Sequence, residues 1–416
     1  MREGNKKHRV VIVGGGFGGV KAALELSQHS DRFDITLISD QPHFEYHAAL
    51  YRVVTGRSPL EVCIPLSTIF EHRDIKLVKD KIETVNPKTK QLVGREGSKY
   101  GYDSLILALG SQNTFYDIPG LREHSFVLKS INDALRLKRH LHEIFTDTTE
   151  RAKEGQFHPI HLVLVGGGST GVELAGELIT YARQLARRHQ LDPNTVIVDL
   201  FEAGDRLLGG LEEKVSRQAF ERLHHLGVNI FLNTPILKNQ IEATYLMDMK
   251  LKTKTLIWTA GVVTNALYAK IPGLNFSQAG RVMVDLSMQA KSVSDIYVIG
   301  DAAASVYSGM AQTAVYDGAF VADGLWRKLN NRSPITYRPH RPITAIPIGP
   351  HWAMVVTRFG VISGRFGWFL RRGADLRFFS TILSPAKALL ALTDGYTITE
   401  TCPICSEVDT AVTESL

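Results

Sequence analysis

Cysteine is scarce in this chain of 416 residues, which contains only Cys63, Cys402 and Cys405. An odd and widely spaced set does not make a small disulfide scaffold. Cys402 and Cys405 form a C-x-x-C pair, but no second pair accompanies it, so the sequence predicts no zinc centre and no other metal site. Three interpretations of the pair stay open: a redox pair, half of a site shared between two chains, or no function.

Long hydrophobic runs are lacking as well. No stretch approaches the roughly 18 consecutive apolar residues of a membrane-spanning helix. The apolar run after Lys6, Lys7 and Arg9 meets a glycine turn after four residues, which is too short for a signal peptide. We therefore expect a protein of the cytoplasm, or one that lies on a membrane surface.

A concentrated basic patch is the third absence. The net charge of +6 is mild for this length, and no basic cluster is joined to a motif that reads nucleic acid. The sequence therefore excludes nucleic acid as an expected partner, whereas anionic cofactors or an anionic membrane surface suit the charge. The length predicts two or three domains rather than one core.

The N-terminal region has the pattern of a dinucleotide-binding unit. An apolar run at residues 10–13 predicts a buried strand, and residues 20–27 predict a helix. Between them lie three glycines in G-x-G-x-x-G spacing, with an aromatic residue among them: Gly14, Gly16, Phe17 and Gly19. A second predicted strand ends at Asp40, about 20 residues past the glycines, where a ribose-binding carboxylate is expected.

The same pattern recurs in the middle of the chain. A predicted strand at residues 160–165 leads into a second G-x-G-x-x-G turn and a long helix that extends to residue 188. The turn contains Gly166, Gly168, Thr170 and Gly171. The next predicted strand ends at Glu202, and the long helix with the turn at Asp192 explains why this acid follows its glycines at more than the usual distance.

Two such units in one chain predict two bound dinucleotides. The simplest division is one held as a prosthetic group and one that visits as a substrate. A carboxylate at Glu202 favours a free ribose 2′-hydroxyl, and therefore NADH over NADPH. Arg206 lies nearby in sequence and can receive a 2′-phosphate, so NADPH stays open as the alternative.

Three more predicted strands end where ligands bind in an α/β sheet. Their last residues include Gly110, Gly261, Gly300, Asp301 and Ala302. A helix predicted over residues 311–329 begins with small residues, and its N-terminus directs a positive dipole end towards anionic groups. Residues 41–51 mix aromatic and polar side chains, which indicates either a pocket lining or a loop packed on the first domain.

Residues 361–392 combine aromatic and basic side chains on short predicted helices. Six basic residues are offset only by Asp375: Arg358, Arg365, Arg371, Arg372, Arg377 and Lys387. Two apolar sets stand at helical spacing: Phe366, Phe369 and Leu370, then Leu376, Phe379 and Leu383. The pattern predicts helices that lie on an anionic membrane surface, with a helix pair packed on the protein's own core as the alternative.

With these motifs assembled, the chain resembles the flavoproteins with two dinucleotide-binding folds. Among them it is most similar to the type II NADH dehydrogenases, which are NADH:quinone oxidoreductases. The likeness runs from Arg9 to Gly324 and rests on motifs at residues 13–19, 165–178, 259–262, 300–303 and 311–314. The second motif, V-G-G-G-S-T-G-V-E-L-A-G-E-L, is the most specific because it extends past the glycines.

The resemblance implies a set of site residues. FAD binds the first glycine turn, with Asp40 on its ribose and Asp301 near its ribityl and phosphate groups, and NADH binds the second turn, with Glu202 on its ribose. Glu173 is implied as the acid at the nicotinamide–flavin junction, paired with Lys129. The implied quinone site contains Ala311, Gln312 and Tyr316, where Tyr316 replaces a glutamine that the family often has.

The resemblance also implies a fold, a location and an assembly. The fold class is α/β: an FAD domain interrupted by an NAD domain, both Rossmann-like, plus a C-terminal membrane-associating region. The expected boundaries are residues 1–120 and 266–335 for the two halves of the FAD domain, 121–265 for the NAD(H) domain and 336–416 for the C-terminal region. A peripheral homodimer on the cytoplasmic face of the cell membrane is expected, with membrane lipid contacted through residues 361–392.

Three other functions on the same scaffold stay open. A sulfide:quinone oxidoreductase needs a redox cysteine pair near the flavin, whereas Cys63 is isolated in the sequence. A soluble pyridine-nucleotide reductase needs no basic, aromatic C-terminal segment. A non-enzymatic, NADH-sensing flavoprotein differs from an enzyme by its lack of steady NADH turnover with a quinone.

Overall fold

The computed structural model describes residues 6–156, 158–246 and 249–394. Its first sheet has five parallel strands in the spatial order Ile296–Val298, Ser104–Leu107, His8–Val13, Phe33–Ser39 and Lys76–Lys79. The strand His8–Val13 is central and its apolar residues are buried, as its continuous run of β-branched residues predicts. The predicted α/β class with Rossmann-type domains is confirmed.

Two helices pack together beside this sheet. They are Phe17–Ser27 and Ala311–Leu329, and they meet at Gly18 and Gly318. A Cβ atom on Gly318 would stand 2.3 Å from the carbonyl oxygen of Gly18, so only glycine permits this close contact. The contact places the start of the late helix beside the first glycine turn.

The second sheet is inserted between the strands Ser104–Leu107 and Ile296–Val298 of the first. Its five parallel strands have the spatial order Phe126–Val127, Thr255–Trp258, Ile160–Val165, Val196–Phe201 and Asn229–Phe231. Its helices are Ile131–Lys153, Ser169–Arg188 and Glu213–Leu226. The first of them begins at a capping box, in which Ser130 and Asp133 satisfy each other's backbone N–H groups.

Short antiparallel elements surround the two sheets. The pair Ser111–Asn113 and Val262–Thr264 connects them. The others form one two-stranded and two three-stranded sheets. The strands are His43–Glu45 with Cys63–Pro65, then Ile82–Asn86, Gln91–Gly94 and Lys99–Gly101, then Ile236–Gln240, Ala243–Leu246 and Lys250–Lys252. Short helices at Leu50–Val54, Leu66–Ile69 and Leu121–His124 complete this part.

The C-terminal part is a three-stranded sheet followed by two helices. The strands are Thr344–Pro347, Ala353–Thr357 and Gly360–Ile362, and the helices are Gly364–Ile382 and Pro385–Asp394. In the portion of the chain that the structure describes, no helix is long and apolar enough to cross a bilayer. Cys402 and Cys405, with the alternatives for their role, lie outside the described residues.

The helix Gly364–Ile382 turns two different faces to its surroundings. Phe366 and Phe369 are exposed, whereas Phe379 is fully buried. Arg371 and Arg372, which were predicted among the basic residues facing a membrane, are 6% and 8% exposed. That assignment is wrong for these two arginines, because buried carboxylates pair with their guanidinium groups inside the protein.

Candidate functional site

The first glycine turn leaves an open space above the start of a helix. Gly14 has φ +116°, and a Cβ atom there would stand 2.4 Å from the carbonyl oxygen of Ala108. A Cβ on Gly19 would stand 1.9 Å from the oxygen of Gly14, whereas a Cβ on Gly16 would meet nothing within 4 Å. No side chain caps the helix that Phe17 begins. Its N–H groups therefore face a space that fits a pyrophosphate.

The second glycine turn repeats this geometry. Gly166 has φ +113° and would place a Cβ 2.8 Å from the backbone nitrogen of Ala260. A Cβ atom on Gly171 would stand 1.9 Å from the carbonyl oxygen of Gly166, whereas a Cβ on Gly168 would meet nothing within 4 Å. Thr170 lies in the first turn of the helix Ser169–Arg188, which also has no side-chain cap. Both turns thus fit a dinucleotide, by the same arrangement of two packed glycines and one open glycine.

The two predicted ribose-binding acids differ in their surroundings. Asp40 is exposed just past the strand Phe33–Ser39. The carboxylate of Glu202 accepts hydrogen bonds from the backbone N–H groups of Gly167, at 2.5 Å, and Gly204, at 2.6 Å. Arg206, the alternative receiver of a 2′-phosphate, donates to the carbonyl oxygens of Leu211 and Gly209. Its guanidinium group is therefore bound to its own loop.

Three glycines at strand ends have positive φ angles. They are Gly110 at +61°, Gly261 at +109° and Gly300 at +71°. A Cβ on Gly261 would stand 2.4 Å from the hydroxyl oxygen of Tyr116. Ala302 is buried beside the Gly300 turn.

Asp317 fixes the Gly300 turn and was missed by sequence reasoning. It accepts the backbone N–H of Gly300 at 3.0 Å and the hydroxyl of Tyr337 at 2.6 Å. Burial raises the pKa of Asp317 to about 6. Its only signal in the sequence is one acid in the otherwise apolar part of a helix.

Lys129 and Asp301 are connected through a serine. The ammonium group of Lys129 donates to Ser111 Oγ at 2.9 Å, and that hydroxyl donates to Asp301 at 2.7 Å. Burial lowers the pKa of Lys129. The resemblance implied that Lys129 pairs with Glu173, but in this structure its hydrogen bond goes to Ser111. Ser111 therefore connects the ammonium group of Lys129 to Asp301, the acid that the resemblance implies near the ribityl group of FAD.

Glu173 lies in the second turn of the helix Ser169–Arg188 and is half-buried. Burial raises the pKa of Glu173 to about 8, against the opposing effect of the positive charges of Arg371 and Arg52. The carboxyl group is therefore mostly protonated at neutral pH. A protonated acid in such a place can donate a hydrogen bond or supply a proton.

The segment at residues 43–51 is packed rather than open. The ring of Phe17 lies 5.0 Å from that of Phe44, and Phe378 stacks on Tyr46 at 5.2 Å. These aromatic side chains pack the C-terminal helix against the first glycine turn. Of the two interpretations of this segment, a pocket lining or a loop packed on the first domain, the packing of these rings fits the second.

Glu45 is the polar centre of the same segment. It accepts from His43 and His47, both at 3.2 Å, and from the backbone N–H of Ile131 at 3.3 Å. Burial by itself would raise the pKa of Glu45, but the two histidines lower it to about 2.

The predicted quinone residues lie at the start of the helix Ala311–Leu329. The side-chain amide of Gln312 donates to the carbonyl of Ile343 at 2.9 Å and accepts from its N–H at 3.2 Å. The ring of Tyr316 lies 4.4 Å from that of His340. Gln312 and Tyr316 therefore hold the segment around residues 340–343 against this helix.

A buried charge network joins the first domain to the C-terminal helix. Arg52 and Arg372 share the carboxylate of Glu61, at 2.5 and 2.6 Å, and Arg52 also donates to Asp375 at 3.0 Å. Arg371 pairs with Asp375 from the same helix. Sequence reasoning missed this network, because its members lie in segments that are over 300 positions apart.

Cys63 is buried, and burial raises the pKa of its thiol. Within the described residues it has no second cysteine beside it. This part of the chain therefore lacks the redox pair that a sulfide:quinone oxidoreductase needs near its flavin.

Two parallel sheets, each with an open glycine turn at the start of a helix, define a protein with two dinucleotide-binding folds. The family model of the pyridine nucleotide-disulphide oxidoreductases matches residues 8–318, and the chain belongs to that family. This membership confirms the resemblance to flavoproteins of this type.

Curated relatives match over most of the chain. The type II NADH:quinone oxidoreductase of Staphylococcus haemolyticus is 25% identical over 385 residues, which cover 89% of this chain and 95% of that protein. The protein of the same name from Staphylococcus aureus is 24% identical over 386 residues, with the same coverage.

Solved structures share the fold. NDH2 from Plasmodium falciparum in complex with NADH superposes with a TM-score of 0.82 at 18% identity, covering 95% of this chain and 98% of that one. The sulfide:quinone oxidoreductase of Aquifex aeolicus gives 0.75 at 18% identity, covering 98% and 95%. At these identities the likeness concerns the fold alone.

Proposed function

We propose that this protein is an FAD-dependent NADH:quinone oxidoreductase that does not pump protons. The observation that carries the proposal is the pair of matching glycine turns, each with one open glycine at an uncapped helix start. The near full-length similarity to type II NADH:quinone oxidoreductases selects this reaction among those of the family.

The first site would hold FAD. Gly14, Gly16, Phe17 and Gly19 form the turn for its pyrophosphate, and Asp40 receives a ribose. Gly110, Gly300, Asp301 and Ala302 form the facing edge. Held there, FAD would supply the redox chemistry that links NADH to a membrane quinone. Lys129, connected through Ser111 to Asp301, is proposed to position that edge.

The second site would hold NADH. Gly166, Gly168, Thr170 and Gly171 contact the pyrophosphate, and Gly261 closes the opposite side. Glu202 lies where a ribose is expected, and its negative charge disfavours the 2′-phosphate of NADPH. The binding of Arg206 to backbone carbonyls supports the preference for NADH.

Glu173 is proposed as the acid of the reaction. Its carboxyl is protonated at neutral pH because burial raises its pKa to about 8, so it can supply a proton when a quinone oxygen becomes basic. Ala311, Gln312 and Tyr316 are proposed to border the quinone path. The double hydrogen bond between Gln312 and Ile343 supports a role in shaping that border.

A surface on the C-terminal part is proposed to lie on the membrane. Six large apolar side chains are exposed there: Phe359, Phe366, Phe369, Leu370, Leu389 and Leu390. Basic residues accompany them: Arg358, Arg365 and Arg377. Exposed aromatic rings beside arginines suit an anionic interface, which supports peripheral binding at the cytoplasmic face. The homodimer implied by the resemblance belongs to the same proposal, and light scattering of the purified protein tests it.

An anaerobic titration tests the function directly. The purified protein is expected to be yellow, to bleach with NADH much more readily than with NADPH, and to regain its colour with a short-chain quinone. Bleaching by sulfide and not by NADH would identify the sulfide:quinone reaction instead. Bleaching by NADH without recovery on addition of quinone would contradict the proposal and favour a soluble reductase or an NADH sensor.

A further inference from the structure

Tyr116 lies in a β-turn whose backbone conformation is unfavourable for its residue type. The backbone N–H of Ile118 donates to the carbonyl oxygen of Phe115 at 3.0 Å and closes the turn. The two central residues, Tyr116 and Asp117, have φ angles of +49° and +55°. Within the described residues, no other two neighbours that are not glycine both have positive φ angles. Turns of this kind favour glycine and asparagine, so a tyrosine at this position is strained.

Contacts of the neighbouring residues hold this turn in place. The backbone N–H of Thr114 donates to the carbonyl oxygen of Gly261 at 3.3 Å, and the carbonyl oxygen of Thr114 accepts from the indole nitrogen of Trp258 at 2.8 Å. The ring of Phe115 stacks on that of Trp258, with 6.5 Å between their centres. The guanidinium group of Arg122 lies 4.9 Å from the centre of the Phe115 ring. The turn is therefore fixed to the edge of the second sheet.

The ring of Tyr116 itself gains little from burial. The residue is 63% exposed, and its ring meets that of Trp258 edge-on, with 6.2 Å between their centres. Strained positions of this kind cluster where a protein contacts a ligand. Burial within the described part of the chain does not explain a tyrosine at this position, whereas a contact with a ligand would.

The ring of Tyr116 adjoins the second glycine turn. A Cβ atom on Gly261 would stand 2.4 Å from the hydroxyl oxygen of Tyr116 and 2.7 Å from two of its ring carbons. A Cβ on Gly166, in the glycine turn, would stand 2.8 Å from the backbone nitrogen of Ala260. Since Ala260 and Gly261 are consecutive, the ring and the glycine turn both contact one segment of two residues.

The order of the strands in the second sheet indicates which half of NADH lies near this ring. Three strands lie side by side in the order Val196–Phe201, Ile160–Val165 and Thr255–Trp258. Glu202 follows the first, the glycine turn follows the second, and Gly261 lies three residues past the third. With the pyrophosphate at the middle strand and the adenosine ribose at Glu202, the nicotinamide half extends the other way, over Gly261.

We propose that the ring of Tyr116 packs against the ribose and base of the nicotinamide half of NADH. This inference rests on the proposed NADH site and adds a binding residue to it. An aromatic ring suits this contact, because its flat apolar face covers a sugar or a base and brings no charge. A side chain at position 261 would occupy the place of the ring, which explains the glycine there.

Calorimetric titration of the oxidised, flavin-bound protein with NAD⁺ and with ADP tests this contact. ADP has the adenosine and both phosphates of the dinucleotide but lacks the nicotinamide half. We expect Tyr116→Ala to weaken NAD⁺ binding by about three- to tenfold and to leave ADP binding unchanged. Tyr116→Phe keeps the ring and should bind both as the unaltered protein does. Tyr307→Ala is the matched control, since Tyr307 is also exposed and has a φ of +65°, and it should change neither affinity.

The pattern of affinities separates this inference from the proposed function. Equal losses of NAD⁺ and ADP affinity in Tyr116→Ala would mean a disturbed glycine turn and would overturn the contact, as would unchanged NAD⁺ binding. A loss in Tyr116→Phe as large as in Tyr116→Ala would assign the effect to the hydroxyl group and overturn ring packing. If the unaltered protein binds neither nucleotide, the proposed NADH site itself fails. The titrations contain no quinone, so their result does not depend on the electron acceptor.

Discussion

Arg52 donates a hydrogen bond to Asp375 across 323 positions of the chain, at 3.0 Å and in the protein interior. The pair binds the short helix Leu50–Val54 of the first domain to the C-terminal helix Gly364–Ile382. The C-terminal helix is therefore part of the core on one face, even though its other face exposes phenylalanines. Its removal would take Asp375 from Arg52 and Arg372 from Glu61, and leave these two with only each other as charged partners.

Asp375→Asn tests the weight of this network. We expect the free energy of unfolding to fall by roughly 3–5 kcal/mol, because the buried Arg371 loses its charged partner and Arg52 keeps only Glu61, which it shares with Arg372. The measurement is denaturant unfolding of the flavin-bound protein. Asp323→Asn is the control, since its pair with Arg327 at 3.0 Å is exposed, and we expect it to cost less than about 1 kcal/mol. Similar losses for the two variants would contradict a special role for the buried pair.

Gly168→Ala separates nucleotide binding from folding. A Cβ there meets no protein atom within 4 Å, so the fold tolerates it, but the methyl group enters the space assigned to the pyrophosphate. We expect FAD to be retained and the KM for NADH to rise at least about tenfold, equivalent to about 1.4 kcal/mol. A Cβ on Gly210 also meets nothing within 4 Å, so Gly210→Ala is expected to change neither the retention of FAD nor the KM for NADH. An unchanged KM for NADH in Gly168→Ala would mean that NADH does not bind at this turn.

Glu173→Gln tests the proposed acid through pH. The pKa of Glu173 is raised to about 8 by burial, so between about pH 4.5 and 8 the carboxyl is protonated in the folded protein and ionised in the unfolded one. The protein therefore loses stability as pH rises through this window, and Glu173→Gln should lack that loss.

The same variant is expected to slow NADH:quinone turnover while the flavin stays bound. The unaltered enzyme should lose activity as pH rises past about 8, where Glu173 can no longer give a proton, and the variant should show no such step. Steady-state rates across pH check this. Unchanged turnover together with an unchanged pH profile would exclude Glu173 as the proton donor.

Phe369→Ser tests the membrane surface without damage to the core. We expect it to weaken binding to all vesicles, because an exposed aromatic ring that inserts at the interface is lost. Ile241→Ser, at a position 73% exposed on the inserted domain, is the control and should bind as the unaltered protein does. Turnover with a soluble quinone should stay unchanged in both. If Phe369→Ser binds vesicles normally, the docking surface lies elsewhere.

Glu202→Gln tests the choice of nucleotide. Removal of the negative charge should raise the activity with NADPH relative to NADH, since the 2′-phosphate is no longer repelled. The ratio of kcat/KM for the two nucleotides measures the effect. Because Arg206 is bound to the carbonyls of Gly209 and Leu211, we expect the ratio to shift without inverting. An unchanged ratio of kcat/KM for NADPH and NADH would mean that Glu202 does not contact the ribose.

The two glycine turns, their strands and helices, and the α/β class could all be predicted from the amino-acid sequence. These features are local: a positive φ at Gly14 or Gly166, and a β-branched run before it, are set by residues within one short segment. Features that depend on contacts between distant segments could be found only in the folded protein. In the fold, Arg371 is buried against Asp375, whereas Phe369 is exposed. Lys129 donates to Ser111 rather than to Glu173, and burial raises the pKa of Glu173. Burial and ion pairing depend on which segments the fold brings together. The spacing of residues within one segment does not show which other segments it will contact.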